Sequence, residues 1–327
     1  MISVVKRACL VAVGLTTGLL LAEGLLRLAA PEDETYGAAR EKVEFRDGGR
    51  RIARTYTVDP EVGFRPILGT GSYSAHGTLP NGYPLEKRPR VQRLLFIGDS
   101  VTAEGLIVKH LRSLYGEREY EFWNAGVHSF NTTQEVKYYA RWNASIRPDH
   151  VILTFHNNDF EVTPVAFLDA DGKLVVYTPA LIMTGPMRWL FRNSRLFRVV
   201  VGAITHRDGG KERAVAETRR SLAELQATLA RDGIRLSVVL LPLMKPYPTW
   251  TAAEKRSRAR SLEMFDRLNL RYVDLMPALD AALAATPPDH HDTWHPADGA
   301  ALRFAEYVRD HDLLTAPAPP VSGAPTR

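Results

Sequence analysis

Five short apolar runs with β-branched or aromatic character recur in this chain: VQRLLFI (Val91 to Ile97), YEFWNA (Tyr120 to Ala125), HVILTF (His150 to Phe155), RLSVVLLP (Arg235 to Pro242) and RYVDL (Arg271 to Leu275). Helix-like stretches lie between them, among them Gln134 to Ile146, Lys211 to Arg231 and Ala253 to Leu268. Strands alternating with helices make βαβ units, and runs that are apolar throughout belong to strands covered on both faces. The expectation is an α/β fold, three layers α/β/α around a central parallel sheet of about five strands. Ligands of such sheets bind outside the carboxyl ends of the strands.

A chain of 327 residues, 45% of them hydrophobic, can bury a large core without disulfides or metals. Cys9 is the only cysteine, which excludes an intrachain disulfide and a cysteine-based zinc site. It follows Lys6, Arg7 and Ala8 directly, a context that does not suit a lipid-modified N-terminus. The 42 Lys plus Arg exceed the 37 Asp plus Glu by five, but the cations are scattered. That pattern does not point to nucleic acid as a partner.

The N-terminus reads as an address. Lys6 and Arg7 precede an apolar run from Ala8 to Ala22, and Glu23 and Arg27 interrupt a further apolar turn or two. Through Ala30 the segment counts 23 residues, enough to cross a bilayer core of roughly 20 helical residues. The two cations keep the N-terminus cytoplasmic and send the rest of the chain outward, to the periplasmic side. Glu23 and Arg27, four apart, can pair at the outer interface. Cleavage as a signal peptide is the competing reading, but Leu20 before Ala22 and Pro31 after Ala30 make poor cut sites. Residues 1–30 are therefore expected to be a transmembrane signal anchor.

Residues 31–90 are polar and rich in Gly and Pro, a stalk or lead-in to a domain over 91–313. Between about 161 and 210 the strand-helix rhythm breaks. There GPMRWLFRNSRLFRVVVGAI interleaves Arg188, Arg192, Arg195 and Arg198 with Trp189, Leu190, Phe191, Leu196 and Phe197. The plain reading is an amphipathic helix packed on the domain; the sharper ones are a lid or a membrane-facing patch. Residues 314–327 are rich in Pro and Ala, with a disordered composition.

Polar residues close each of the first three strands. GDS (Gly98, Asp99, Ser100) follows the first, where a serine at a strand-to-helix turn can act as a nucleophile or serve only as a helix cap. NAGVH, with Gly126 and His128, follows the second, and HNND, with His156, Asn157 and Asn158, follows the third. A glycine lets backbone approach a substrate, and an asparagine amide can hold an oxyanion without titrating. Each is also an ordinary loop residue when taken alone. Asp99 and Asp159 suit turns, which Asp stabilises through its own backbone.

Together with DTWH near the C-terminus, these pieces resemble the SGNH hydrolases, the superfamily of the GDSL-type esterases and lipases. The likeness spans Gly98 to His295, about three-fifths of the chain. It implies a flavodoxin-like fold and no cofactor, with Ser100 as nucleophile, His295 as general base and Asp292 as its orienting partner. It also implies an oxyanion hole from the N–H groups of Ser100 and Gly126 and the side chain of Asn158. Serine chemistry asks for such a set, since the hydroxyl needs a base and the base needs a third group to fix its tautomer. His156 departs from the pattern, standing where the superfamily has glycine. His128, His156 and Asn157 are further candidates for contact with substrate.

A metal site is the rival reading of DHHDTWH. His291 and His295 are four apart with Asp289, His290 and Asp292 beside them. Pro288 and Pro296 oppose the helix that this spacing needs, and a metal leaves Ser100, Gly126 and Asn158 without a purpose. The expected activity is hydrolysis of a carboxylic ester through an acyl-enzyme, with acetylated carbohydrate as the favoured substrate class. Acyl transfer, lipase or thioesterase action, and a silent binding or assembly role in an envelope polymer pathway are the alternatives.

Overall fold

The computed structural model describes residues 2–29, 40–41, 46–47, 50–51, 56–168, 174–177, 185–205, 209–287 and 292–315. Two compact units emerge. One comprises Met1–Arg65 with Glu161–Val215, the other Pro66–Phe160 with Ala216–Arg327.

The first unit begins with α1 (Ile2–Ala29). Within it Cys9–Ala29, 21 residues of mean hydropathy 1.9, is long and apolar enough to cross a membrane or to act as a signal sequence, and none of it is buried. Two-residue ladders follow as β1 (Arg40–Glu41), β2 (Arg46–Asp47) and β3 (Arg50–Arg51). Next comes a hairpin of β4 (Tyr56–Asp59) and β5 (Gly63–Pro66). Asp59 closes its turn by accepting from the N–H groups of Glu61 and Val62 at 2.9 and 3.2 Å.

The second unit carries the five expected strands: β6 (Gln92–Ile97), β7 (Tyr120–Asn124), β8 (His150–Phe155), β11 (Arg235–Leu240) and β12 (Arg271–Asp274). They pair in the order β12-β11-β8-β6-β7, all parallel. Counting only these strands the order is 2-1-3-4-5, the flavodoxin-like doubly wound arrangement. Side chains alternate across the sheet. Leu94 and Phe96 face one cluster with Phe304, Ala305 and Val308, while Leu95 and Ile97 face another with Leu222, Leu225 and Phe265. Each such Leu or Phe contributes about 1.5–3 kcal/mol by leaving water.

Helices fill both layers. On the first face lie α3 (Leu106–Tyr115), which follows the one-turn α2 (Ser100–Glu104), and later α9 (Leu279–Ala284) and α10 (Asp298–Asp310). The other face is covered by α4 (Thr132–Tyr138), α7 (Gly209–Arg231) and α8 (Ala252–Arg267). The helix expected over Gln134–Ile146 starts two residues earlier, because Asn131 and Gln134 form a capping box. It continues past Tyr138 only as a wider turn, Tyr139–Asn143, and a tighter one, Ala144–Ile146.

The segment before β6 is anchored by a buried ion pair. Glu121 accepts from Arg93 Nε at 2.7 Å, Arg88 Nε at 2.8 Å and Trp123 Nε1 at 3.0 Å. Arg93 in turn donates to the carbonyls of Ile146 and Pro84. A buried pair satisfied on this many sides is costly to break from one end, by about 3–5 kcal/mol.

The rhythm-breaking segment is part of the first unit. It contains an antiparallel pair, β9 (Val165–Leu168) and β10 (Leu174–Tyr177), to which β1 adds. The single amphipathic helix of the plain reading is instead two, α5 (Gly185–Asn193) and α6 (Arg195–Thr205), broken at Ser194. Ser194 Oγ accepts from Phe197 N–H at 3.1 Å, so it starts a new helix instead of continuing the old one. Residues 316–327, most of the Pro/Ala-rich tail, lie outside the described residues.

Candidate active site

The parallel order reverses direction at β6, with β7 on one side and β8 on the other, and ligands favour the crevice beyond such a point. Ser100 lies just past the carboxyl end of β6 as the first residue of α2. Asp99 caps this turn, its carboxylate accepting from Val101 N–H at 3.0 Å. The turn leaves no room around it. A Cβ on Gly98 would come within 2.2 Å of Thr102 Oγ1, and one on Gly126 within 2.3 Å of the Ala103 nitrogen. Both glycines are thus required by the packing of the turn that presents Ser100.

His295 and Asp292 arrive from the far end of the unit. Their loop is tied to the segment after β11 by the Met244 N–H, which donates to the Thr293 carbonyl at 2.8 Å. Asp292 Oδ1 accepts from Trp294 N–H at 2.7 Å, and Oδ2 lies 2.5 Å from His295 Nδ1. His295 Nε2 lies 2.7 Å from Ser100 Oγ. An ionised carboxylate only accepts, so Nδ1 carries the ring proton and Nε2 is left to accept from the Ser100 hydroxyl. Partial burial alone would raise the Asp292 pKa. The bonds from the His295 ring and the Trp294 N–H outweigh it and hold the carboxyl below its ordinary value.

The other expected residues divide. His128 is close enough to His295 and Asp99 to feel both charges. Burial first, then His295, holds it below the ordinary histidine value, against the pull of Asp99. Asn157 is half-buried at the start of a tight turn, Asn157–Phe160, beyond β8. Asn158 lies on the same turn, but its side chain is outside the described residues. The Gly126 N–H, expected to face an oxyanion, donates to Asn124 Oδ1 at 2.9 Å, while Asn124 Nδ2 donates to the Thr102 carbonyl at 2.6 Å. His156, expected as a substrate contact, is buried, and its ring packs on Trp294. Asp289, His290 and His291, the remaining members of the metal reading, lie outside the described residues.

Four participants went unnoticed in the sequence. Glu104 Oε1 stands 3.7 Å from His295 Nε2, and its signal was the spacing of four from Ser100 on one helical turn. Asn124, two residues before Gly126, bridges the second loop to α2. Tyr73 Oη, from the lead-in, donates to the Gly126 carbonyl at 2.8 Å, and no local signal points to it. Glu135 is buried, neither of its carboxylate oxygens has a hydrogen-bond partner among the described residues, and it senses the charges of Asp159 and Asp99. Asp159 is buried too, but accepts from Thr132 Oγ1 at 2.8 Å and from the His156 N–H at 2.5 Å. Burial first raises both carboxyls, with the charges of Asp159 and Asp99 adding to it on Glu135 and that of Asp99 on Asp159, and the donors on Asp159 leave the retained proton on Glu135.

No family model matches the chain, and no curated protein matches it. Among solved structures it is similar to LAE5, an α/β hydrolase enzyme from the metagenome of Lake Arreo, Spain, at 17% identity and a TM-score of 0.45, covering 69% of this chain and 97% of that one. It is also similar to Axe2, an acetylxylan esterase from Geobacillus stearothermophilus, at 14% identity and a TM-score of 0.45, covering 67% and 93%. The fold described above follows from strand order and register without these likenesses.

Proposed function

We propose that this chain is a serine ester hydrolase of the SGNH type that works through an acyl-enzyme. The observation that carries the reading is the unbroken relay from Asp292 Oδ2 to His295 Nδ1 at 2.5 Å and from His295 Nε2 to Ser100 Oγ at 2.7 Å. Ser100 Oγ attacks the ester carbonyl carbon while its proton passes to His295 Nε2, and the carbonyl electron pair moves to oxygen. Collapse of the tetrahedral intermediate expels the alkoxide, which takes the proton from His295 and leaves acyl-Ser100. Water then repeats the sequence, yielding a carboxylic acid and free serine. Asp292, held ionised, stabilises the imidazolium in both halves.

The oxyanion is held by the N–H of Ser100 and the amide of Asn158, with the Gly126 N–H joining once Asn124 releases it. The favoured substrate is a short acyl ester, acetyl foremost, on carbohydrate, a reading supported by the motif resemblance. Residues 1–30 are the anchor, with Lys6 and Arg7 on the cytoplasmic side and the catalytic unit outside.

The test is made on purified full-length protein in detergent micelles. A fluorophosphonate probe should label the wild type and not Ser100→Ala, and aryl acetate should turn over faster than aryl octanoate. Ser100→Ala should lose roughly 10⁴-fold or more in kcat. A folded wild type that neither reacts with the probe nor turns over any ester would overturn the reading.

A further inference from the structure

The first unit carries a feature that ester hydrolysis does not use. Glu23, on α1, accepts from four donors: Arg27 Nε at 2.7 Å, Ser194 Oγ at 2.9 Å, Arg195 N–H at 3.0 Å and Leu196 N–H at 2.9 Å. Arg27 donates onward to the Asn193 carbonyl at 2.6 Å, and Arg195 donates to the carbonyls of Leu26 and Arg27, each at 3.2 Å. The corner between α5 and α6 is therefore pinned to the last two turns of α1.

That attachment sets its depth. Cys9–Ala29 is 21 residues, about 31 Å of helix against a hydrocarbon core of about 30 Å. Glu23 stands about 9 Å and Arg27 about 3 Å before the end of this span, so the corner pinned to them lies along its outer third and reaches close to the boundary between acyl chains and headgroups. The outer side of the corner suits that boundary. Trp189 is 65% exposed, Val200 44% and Leu190 38%, and Arg188 lies among them. Beside them opens a cleft of about 570 Å³ lined by Val58, Pro60, Val165, Ala166, Arg188 and Trp189. On α1 itself Leu21, Leu25 and Leu28 are exposed as well. An indole with an apolar body and one N–H donor prefers the membrane interface, and arginine stems reach along apolar surface to phosphate.

We infer that the α5–α6 corner is a phospholipid-docking surface, with Trp189 and Leu190 seated in the headgroup boundary of the leaflet where α1 ends. This rests on α1 spanning a bilayer. Docking gives the first unit a second attachment besides the span and fixes its orientation on the leaflet.

The experiment uses the full chain reconstituted in vesicles of phosphatidylcholine and phosphatidylglycerol, with nitroxide lipids labelled either near the headgroup or deep in the acyl chain. The headgroup-proximal nitroxide should quench part of the tryptophan emission, and Trp189→Phe should lose that part. A fluorophore at Gly18→Cys in a Cys9→Ser background reports the span itself, since among the described residues nothing beyond its own helix backbone and chain neighbours lies within 4 Å of where a Gly18 Cβ would be. It should be quenched by the deep label. Deep quenching at position 18 with unchanged quenching in Trp189→Phe overturns the docking surface and leaves the span standing, as does a Trp189 signal that no nitroxide reaches because protein covers it. A water-exposed probe at position 18 overturns both.

Discussion

The imidazole of His156 packs against the indole of Trp294 with ring centroids 4.9 Å apart and planes tilted by 48°. His156 directly follows β8, and Trp294 sits in the loop between Asp292 and His295, so a residue beyond the third strand braces the loop that carries the imidazole. The histidine at position 156 thereby has a packing role.

His156→Gly should remove this brace and leave a void under Trp294. The expected cost is about 2–4 kcal/mol of stability, read from urea midpoints. Loosening the loop should also lower kcat by about 10- to 100-fold, since misplacement of a reacting group by about 1 Å costs that much. His156→Phe, which keeps a ring against Trp294, should retain most of both. Equal activity in the glycine and phenylalanine variants would remove the bracing role.

Asp292→Asn should keep the loop folded, because the amide oxygen can still accept from the Trp294 N–H. It cannot hold His295 Nδ1–H as a carboxylate does. A fall in kcat of about 10³- to 10⁴-fold is expected, with KM much less affected, measured on an aryl acetate.

Glu135 gives a stability test with a defined sign. Burial first, then the charges of Asp159 and Asp99, raises its pKa well above the ordinary 4.5. Above that value the folded chain holds a proton that the unfolded chain has released, so stability falls as pH rises. Glu135→Gln removes the titration. Its urea midpoint should change less than that of the wild type between about pH 5 and about pH 8, and should be the higher of the two at the upper end. Parallel pH curves for the two proteins would contradict the assignment.

His150, at the start of β8, has the opposite slope. Burial first, then the positive charges of Arg235 and Arg271, pulls it down to about 3 from an ordinary 6.5. Between these values the unfolded chain binds a proton that the folded chain refuses, so stability is lost as pH falls from 6.5 towards 3. His150→Gln should flatten this acid limb and keep a hydrogen bond to Ser237, which lies 2.8 Å from the ring. Urea midpoints across that range check it.

The sheet was legible in the sequence because each strand is a short run of β-branched and aromatic residues bounded by turn formers, and both faces of a parallel sheet demand apolar side chains. Observed strands such as Gln92–Ile97 and Arg271–Asp274 end within two residues of the runs read from sequence. The pairing of Asp292 with His295 fits its spacing of three, over which a carboxylate reaches an imidazole, but Ser100 lies 195 residues from His295, and only the resemblance to the SGNH hydrolases linked the two in sequence. Other features depended on partners remote in the chain. The break at Ser194 is set partly by Glu23, 171 residues away, and the Gly126 loop is held by Tyr73, 53 residues away.

Residue types and local spacing thus determined the α/β layers and the strand edge, because periodicity and short-range bonding are local; Ser100, Asp292 and His295 were picked out from sequence only through the resemblance of GDS and DTWH to the SGNH motifs. Tertiary structure decided which groups those residues meet. It buried His156 beneath Trp294, turned the Gly126 N–H to Asn124, gathered Glu135 with Asp159, and bound α6 to α1, since burial and hydrogen-bond partners are properties of the packed chain.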